Sequence, residues 1–352
     1  MTLSSSAPGR ICLFGEHQDY LGLPVTAAAI NLRCRATLIP RSDRWAVFHF
    51  PDLGEVIKHD LDALPPLTAR NYPVSVLRLA RAEGWLPACG FDLTVQSDIP
   101  MAAGTSSSTA FVLALVAVIA RAAGHVLAAQ ECVEKAHHAE VTAFGEPGGW
   151  MDHVACGLGG LRRVSFTPAL HSETIAPLKD VAWVLGDSLT PKDTLHVLHR
   201  AKTLRENLLA KMPEDFDLAT AAVLPPTPGF TAEERRLLQA TLDNRDISAA
   251  GTRALMTGDA AWVGAELVAH HAVLRDDLGL STPRIEAMLE QAMKHGALGG
   301  KINGSGGGGC CFVLCRPDDA ESIAAAMTAA GGLGMPIDLS NRGVLSQTSA
   351  MA

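Results

Sequence analysis

The sequence is poor in aromatic residues, which fill 5% of its 352 positions and include only two tyrosines, Tyr20 and Tyr72. It is also short of positive charge: 29 Lys and Arg stand against 37 Asp and Glu, a formal net charge of −8. That excludes general nucleic-acid binding, which needs a basic surface to displace counterions. It does not exclude a small anionic ligand, because backbone N–H groups bind phosphate locally whatever the global charge. The longest apolar run, Ala110 to Ala120, is too short for a bilayer span of about 20 residues, so no membrane partner is expected. Met1 to Pro8 has neither the basic nor the apolar region of a signal peptide, which predicts a cytoplasmic location. The eight cysteines show neither regular pairing intervals nor zinc-site spacing, and predict reduced, buried thiols. What remains, 48% hydrophobic and 19% charged, is the balance of a folded globular chain long enough for two domains sharing a cleft.

Hydrophobic periodicity predicts strands within 9–50, notably Ile11 to Phe14 and Val25 to Ile39, and a strand over Phe91 to Ser97. Asp52 to Pro66 reads as turns. Helices are predicted over Tyr72–Gly84, Ser106–Ala123, Ala128–Thr142 and Leu195–Lys211. Asp180 to Gly186 reads as a strand closing the first half. After the proline-rich stretch Leu224 to Phe230, helices are expected over 231–243, 247–256 and Asp259–Leu278. Another starts at Ser281-Thr-Pro283, where a first-turn proline is tolerated, and runs to about His295. A glycine loop, the strand Cys310 to Cys315, a helix over 318–330 and a strand near 344–348 complete the chain.

Three segments carry the chemistry. The loop Pro100 to Ser108 (PMAAGTSSS) runs straight into an apolar helix. The first turn of a helix leaves N–H groups unpaired and carries partial positive charge. Gly104 lets a phosphate approach the backbone, and Ser106, Ser107 and Ser108 can bond phosphate oxygens or Mg²⁺. The same residues also suit an ordinary serine cap on a core helix. The run Gly304 to Gly309 formally fits G-x-G-x-x-G, but a helix precedes it and a strand follows, which argues against a dinucleotide fold. A G-x-x-x-x-G-K-[ST] loop is absent. Near the N-terminus, Arg10 precedes a strand, and Glu16, His17 and Asp19 cluster after it. That cluster suits a polyhydroxylated ligand or a solvated loop. Glu140 ends a helix, and Asp152 follows a Pro-Gly-Gly turn, where it suits either a helix cap or a carboxylate near a nucleophilic hydroxyl. A guanidinium from Arg10 beside Asp152 would keep it ionised.

These motifs resemble the GHMP kinases, and within them the galactokinase-like sugar 1-kinases. Arg10 to Asp19 resembles the galactokinase substrate motif, Pro100 to Ala110 the ATP-phosphate loop, and Lys301 to Cys310 the glycine-rich third motif. Ala139-Glu140 with Gly145 to Asp152, and His271 to Pro283, extend the likeness over most of the chain. The resemblance implies an α+β fold of two domains, 1–185 and 186–352. The first would be ribosomal-protein-S5-like and bind ATP, the second ferredoxin-like, with the active site in the cleft between them. It implies an ATP- and Mg²⁺-dependent kinase, monomeric or homodimeric, acting on the anomeric hydroxyl of a small-molecule sugar. Asp152 would be the catalytic carboxylate and Arg10 its partner. Glu16, His17, Asp19 and Gly304 would bind the sugar. Gly104, Ser106, Ser107, Ser108, Gly306 and Gly307 would hold ATP, and Ser108 and Glu140 Mg²⁺. A mevalonate- or homoserine-type kinase and a silent sugar sensor are the alternatives.

The sequence departs from that pattern at Cys12, where the family has asparagine, and at His153, where galactokinases carry glutamine. It also lacks the tyrosine that galactokinases place on the sugar from a later segment. Thr194, His196 and His199 occupy the matching region instead.

Overall fold

The computed structural model describes residues 2–146, 148–190 and 194–349, without the side chains of 194–200 and 349. The side chains of Thr194, His196 and His199, and Pro147, therefore lie outside the described residues. In chain order the first half comprises β1 (Thr2–Phe14), β2 (Val25–Pro40), β3 (Trp45–Phe50), β4 (Glu55–Asp60), α1 (Tyr72–Ala82), β5 (Phe91–Ser97), α2 (Ser107–Ala122), α3 (Ala129–Glu140), α4 (Met151–Leu158), β6 (Leu161–Ser165) and β7 (His171–Ile175). The second half holds β8 (Ala182–Asp187), α5 (Thr194–Leu209), α6 (Ala232–Thr257), α7 (Ala260–Ala272), α8 (Pro283–Lys294), β9 (Gly299–Ile302), β10 (Cys310–Cys315), α9 (Ala320–Ala329), β11 (Leu333–Ile337) and β12 (Leu345–Ser349). The expected α+β architecture is present.

Two sheets organise the chain. The first runs β12-β1-β2-β5-β3-β4, with β6 and β7 continuing from β2, and the second runs β11-β8-β10-β9. β2 is long enough to serve two partners: Val25–Ala28 pairs with β6, and Cys34–Pro40 with β5. β1 alternates buried and half-buried residues up to Ser6, then is buried continuously from Ala7. The change marks where the strand passes from one covered face to two. The helix α2 packs over the first sheet and is buried almost all round, as its apolar composition requires. A second core joins the halves: Ile11, Leu13 and Phe14 of β1 pack with Leu185 of β8, Leu267 of α7 and Phe312 of β10. An apolar seam of this kind holds two lobes in a fixed relation.

Local chemistry sets the helix starts. Thr231 and Glu234 form a reciprocal capping box at α6, and Thr282 Oγ1 accepts from Ile285 N at α8 with Pro283 in the first turn.

Several expectations are corrected. The turn-rich Asp52–Pro66 contains β4, an edge strand whose exposed and half-buried residues carry no apolar alternation. The strand expected over Asp180 to Gly186 is present as β8, but it does not belong to the first sheet. It joins the second between β10 and β11, while β12 returns to the first beside β1. The helices read over 231–243 and 247–256 are one helix, α6. Asn244, which falls between the two expected helices, is buried and donates to the Glu16 carbonyl at 2.9 Å. β9 went unread because it opens on two glycines. It places a strand, not a helix, immediately before the glycine loop, which is thus a hairpin connection.

Inside α6, Gly251 faces Phe14 so closely that a Cβ there would run into the ring. Gly→Ala within a helix ordinarily gains about 1 kcal/mol. Here Gly251→Ala is expected to lose ~1–3 kcal/mol of unfolding free energy in urea titration, because overpacking dominates. A gain would show that the helix shifts to accept the methyl.

Candidate active site

The cleft between the two halves is about 1020 Å³ including its mouth. Arg10, Asp19, Glu140, Asp152, the first turn of α2 and Gly304-Ser305 all line it.

Its centre is the pairing of Arg10 with Asp152. Arg10 Nε and Nη2 each lie 2.8 Å from Asp152 Oδ1, and Nη1 donates to the Gly104 carbonyl. The guanidinium is buried, whereas the Asp152 side chain keeps 30% of its exposure. Both contacts fall on one oxygen, so Arg10 does not occupy Oδ2. Burial alone would raise the Asp152 pKa. Arg10, the neighbouring Ser106 hydroxyl and His153 more than offset this and hold the carboxyl below its usual range.

The serine loop does not form an ordinary cap. Ser106 sits in the left-handed region with φ 61°, its hydroxyl makes no capping bond, and Oγ is buried beside the Asp152 carboxylate instead. Gly104 also has positive φ. Ser107 and Ser108 line the cleft in the first turn of α2, where N–H groups lack intrahelical partners.

The glycine loop is held by close backbone approaches. A Cβ on Gly304 would come within 2.6 Å of the Gly104 carbonyl oxygen. Gly304, Gly306, Gly307, Gly308 and Gly309 all adopt positive φ, where side chains are strained. Gly304 lines the cleft, but Gly306 and Gly307, expected on the nucleotide, are turned elsewhere. Gly306 packs on Leu280, and Gly307 N donates to the Leu280 carbonyl at 2.7 Å.

The N-terminal cluster is divided in role. Glu16 borders the cleft but is buried, with one oxygen on Lys301 Nζ and the other accepting from Gly304 N. Lys301 also donates to the carbonyls of Cys12 at 3.0 Å and Ile302 at 2.7 Å. Asn303 completes the clasp: Oδ1 accepts from Cys12 N at 2.9 Å, and Nδ2 donates to the Gly104 carbonyl at 2.8 Å. Glu16, expected on the ligand, is thus spent tying the first motif to the third. His17 contacts Tyr20 Oη at 3.1 Å and the Ser305 carbonyl at 3.0 Å. Asp19 faces the cleft beside Gly149, where any side chain would collide with its carboxylate. Burial and the nearby Asp152 charge raise its pKa to about 6.

Glu140, at the end of α3, is buried with Oε2 2.9 Å from His153 Nε2, outside hydrogen-bonding geometry for either atom. His137 lies edge-on to His153 and stacks on Trp150 at 3.6 Å. An unsatisfied carboxylate oxygen with the Ser106 and Ser108 hydroxyls is a hard-oxygen set that fits Mg²⁺. No group of three or more His, Cys, Asp or Glu suited to a metal occurs among the described residues. Such a set would need ligand oxygens to complete it. Beyond Ser107 and Ser108 opens an apolar pocket of about 710 Å³, lined in part by Phe50, Leu53, Met101 and Phe111. It fits a flat heterocycle continuous with a phosphate chain at the serines.

Both tyrosines line the cleft. Tyr72 borders the apolar pocket as well. Tyr20 accepts from Arg205 Nη2, a buried guanidinium on α5. The sequence reading found no tyrosine at the site because it sought one from a later segment. Arg70 and Glu146 at the rim were also missed, and only the fold brings them together.

Comparison with family models finds the GHMP kinases N terminal domain over residues 71–160 and the GHMP kinases C terminal model over 252–333. The galactokinase galactose-binding signature matches residues 3–40. A mevalonate kinase of Thermococcus gammatolerans is 27% identical over 366 residues, spanning 98% of each chain. A galactokinase of Mycobacterium bovis is 28% identical over 344 residues, spanning 92% of each. The crystal structure of Lactococcus lactis galactokinase complexed with galactose has the same fold, with a TM-score of 0.82 at 22% identity over 98% of this chain and 95% of that one. No helix among the described residues is long and apolar enough to cross a membrane.

Two outcomes follow from this geometry. Lys301→Met leaves Glu16 buried without its cation and is expected to cost ~3–5 kcal/mol. The double variant Glu16→Gln/Lys301→Met should lose less than Lys301→Met alone in urea unfolding, and additive losses would show the pair uncoupled. For Asp19, a folded pKa of about 6 lies above the usual 3.8, so its ionisation destabilises the fold as pH rises from about 4 through 6. Asp19→Asn is expected to raise the Tm by ~2–4 °C at pH 7.5 and to leave it unchanged at pH 4. An equal shift at both pH values would contradict the raised pKa.

Proposed function

Since the chain belongs to the GHMP kinases, we propose that it transfers the terminal phosphoryl group of ATP to the anomeric hydroxyl of a monosaccharide, galactose or a relative. The observation that carries this is the Arg10–Asp152 pair, set between the serine loop and a polar pocket edged by Asp19 and His17. The segment supplying Arg10, His17 and Asp19 lies within the galactose-binding signature.

In this reading Asp152 receives the sugar hydroxyl on the oxygen that Arg10 leaves open. Held ionised, it orients the hydroxyl and takes its proton as the new O–P bond forms. Arg10 keeps Asp152 charged and in place. Ser106, Ser107, Ser108 and Gly104 cradle the phosphates with hydroxyl and backbone donors. Asp19 and His17 orient the sugar, with Tyr20 fixing the His17 ring. Glu140 and Ser108 would hold Mg²⁺, which supplies charge neutralisation when bound. The apolar pocket beyond Ser108 takes the adenine.

A mevalonate-type kinase is the second reading, favoured by the mevalonate kinase relative at equal identity. Against it stands the acceptor end of the cleft, where Asp19 accompanies Asp152 and the Lys301 charge is taken by Glu16. A substrate carboxylate is poorly served there.

The test is ADP release with Mg·ATP across galactose, other aldoses, uronic acids, a heptose, mevalonate and homoserine. Turnover on a sugar, reduced at least ~100-fold in Asp152→Asn with ATP affinity held, is the expected result. Turnover on mevalonate or homoserine instead would establish the second reading. Undiminished turnover in Asp152→Asn would remove Asp152 from its role.

A further inference from the structure

The cleft is acidic for a site that receives a polyphosphate. Among the described residues lining it, Glu16, Asp19, Glu140, Glu146 and Asp152 face two guanidiniums, Arg10 and Arg70. Lys301 neutralises Glu16, and Arg10 is committed to Asp152 and the Gly104 carbonyl. That leaves Arg70 as the one lining cation whose hydrogen-bonding capacity is largely unspent. Its one hydrogen bond among the described residues runs from Nε to Glu146 Oε1 at 3.3 Å, longer than usual. Neither Nη donates to a protein partner among the described residues.

Its position points to the nucleotide side of the cleft. Arg70 stands two residues before Tyr72, which borders both the polar cleft and the apolar pocket. The carboxylates nearest its guanidinium in effect are Glu146 and Glu140, which favour its charged form. Its backbone adds a second, independent sign. With φ 57°, Arg70 occupies the left-handed region, uncommon outside glycine, just before the Asn71 cap of α1. A bulky residue held in such a conformation at a cleft rim is where strain accompanies ligand contact.

We propose that Arg70 binds the polyphosphate of the incoming nucleotide, and that Glu146 is the partner it gives up on binding. The inference rests on the kinase reading above. In the free protein Glu146 holds the guanidinium at the rim through one long bond. A phosphate oxygen offers Nη1 and Nη2 a charge-assisted, two-pronged contact that this carboxylate does not. The exchange restores cationic charge where the carboxylates would otherwise repel the ligand.

Calorimetric titration of ADP and of adenosine into the wild-type chain, Arg70→Ala, Arg70→Lys and Glu146→Gln, in buffer containing Mg²⁺, tests this. Arg70→Ala should raise the Kd for ADP about tenfold and leave that for adenosine unchanged, with Arg70→Lys between it and wild type. Glu146→Gln should tighten ADP by about two- to threefold, since a competitor and a like charge are removed. The proposal is overturned if ADP binds Arg70→Ala within twofold of wild type. Equal weakening of adenosine would overturn it too, assigning Arg70 to the base pocket. Weaker ADP binding by Glu146→Gln would also overturn it, making the pair structural. A wild-type chain that binds no ADP would sink the kinase reading itself, and this inference with it.

Discussion

The carboxylate of Glu16 and the ammonium of Lys301 meet inside the protein with neither exposed, and the three functional loops take their positions from how that pair is satisfied. Lys301 lies on β9 of the second sheet, and Glu16 follows β1 of the first. Removing two charges from water is costly, so the pair persists only if every remaining donor and acceptor is used. They are. Lys301 also reaches the Cys12 and Ile302 carbonyls, and the second Glu16 oxygen takes Gly304 N. The next residue, Asn303, extends the clasp to Cys12 N and the Gly104 carbonyl. Gly104 in turn accepts from Arg10, the partner of Asp152. The Asp152 carboxylate is therefore placed by a continuous network that starts at an ion pair it never touches.

That network explains the backbone as well. Gly304 and Gly309 come so near Gly104 and Ala103 that no Cβ fits, and Cys310 N donates to the Ala103 carbonyl at 2.7 Å. The glycine run is rigid hairpin backbone pressed on the serine loop, not a flexible flap. Its glycines serve two ends: Gly304 borders the ligand space, while Gly306 and Gly307 lock the loop onto Leu280.

The sequence made the three loops and Asp152 legible because each is a local pattern: small residues before an apolar helix, a glycine run before an apolar strand, an acid after Pro-Gly-Gly. Strands with a covered face, such as β5 and β10, were equally legible because burial imposes a pattern. β4 and β9 were not, one being an exposed edge and the other opening on glycines. What escaped reading is non-local. Nothing in the spacing of Glu16 and Lys301 says that they pair across 285 positions. Asn244, between the two helices expected there, is polar for a reason, the Glu16 carbonyl, that lies 228 positions away.

The same reasoning accounts for the electrostatics of the cleft. Five carboxylates line one space, yet they are not equivalent. Glu16 is neutralised from below by Lys301. Asp152 is kept ionised by Arg10, with its position in the first turn of α4 adding the favourable end of a helix dipole. Asp19 is buried, faces the Asp152 charge and has no cation bonded to it among the described residues, so its pKa rises to about 6. Two acids flanking one pocket are thus driven apart in acidity: burial and the Asp152 charge raise one, and the bonds from Arg10 hold the other down. A ligand hydroxyl between them would meet a firm acceptor on one side and a softer, pH-sensitive one on the other.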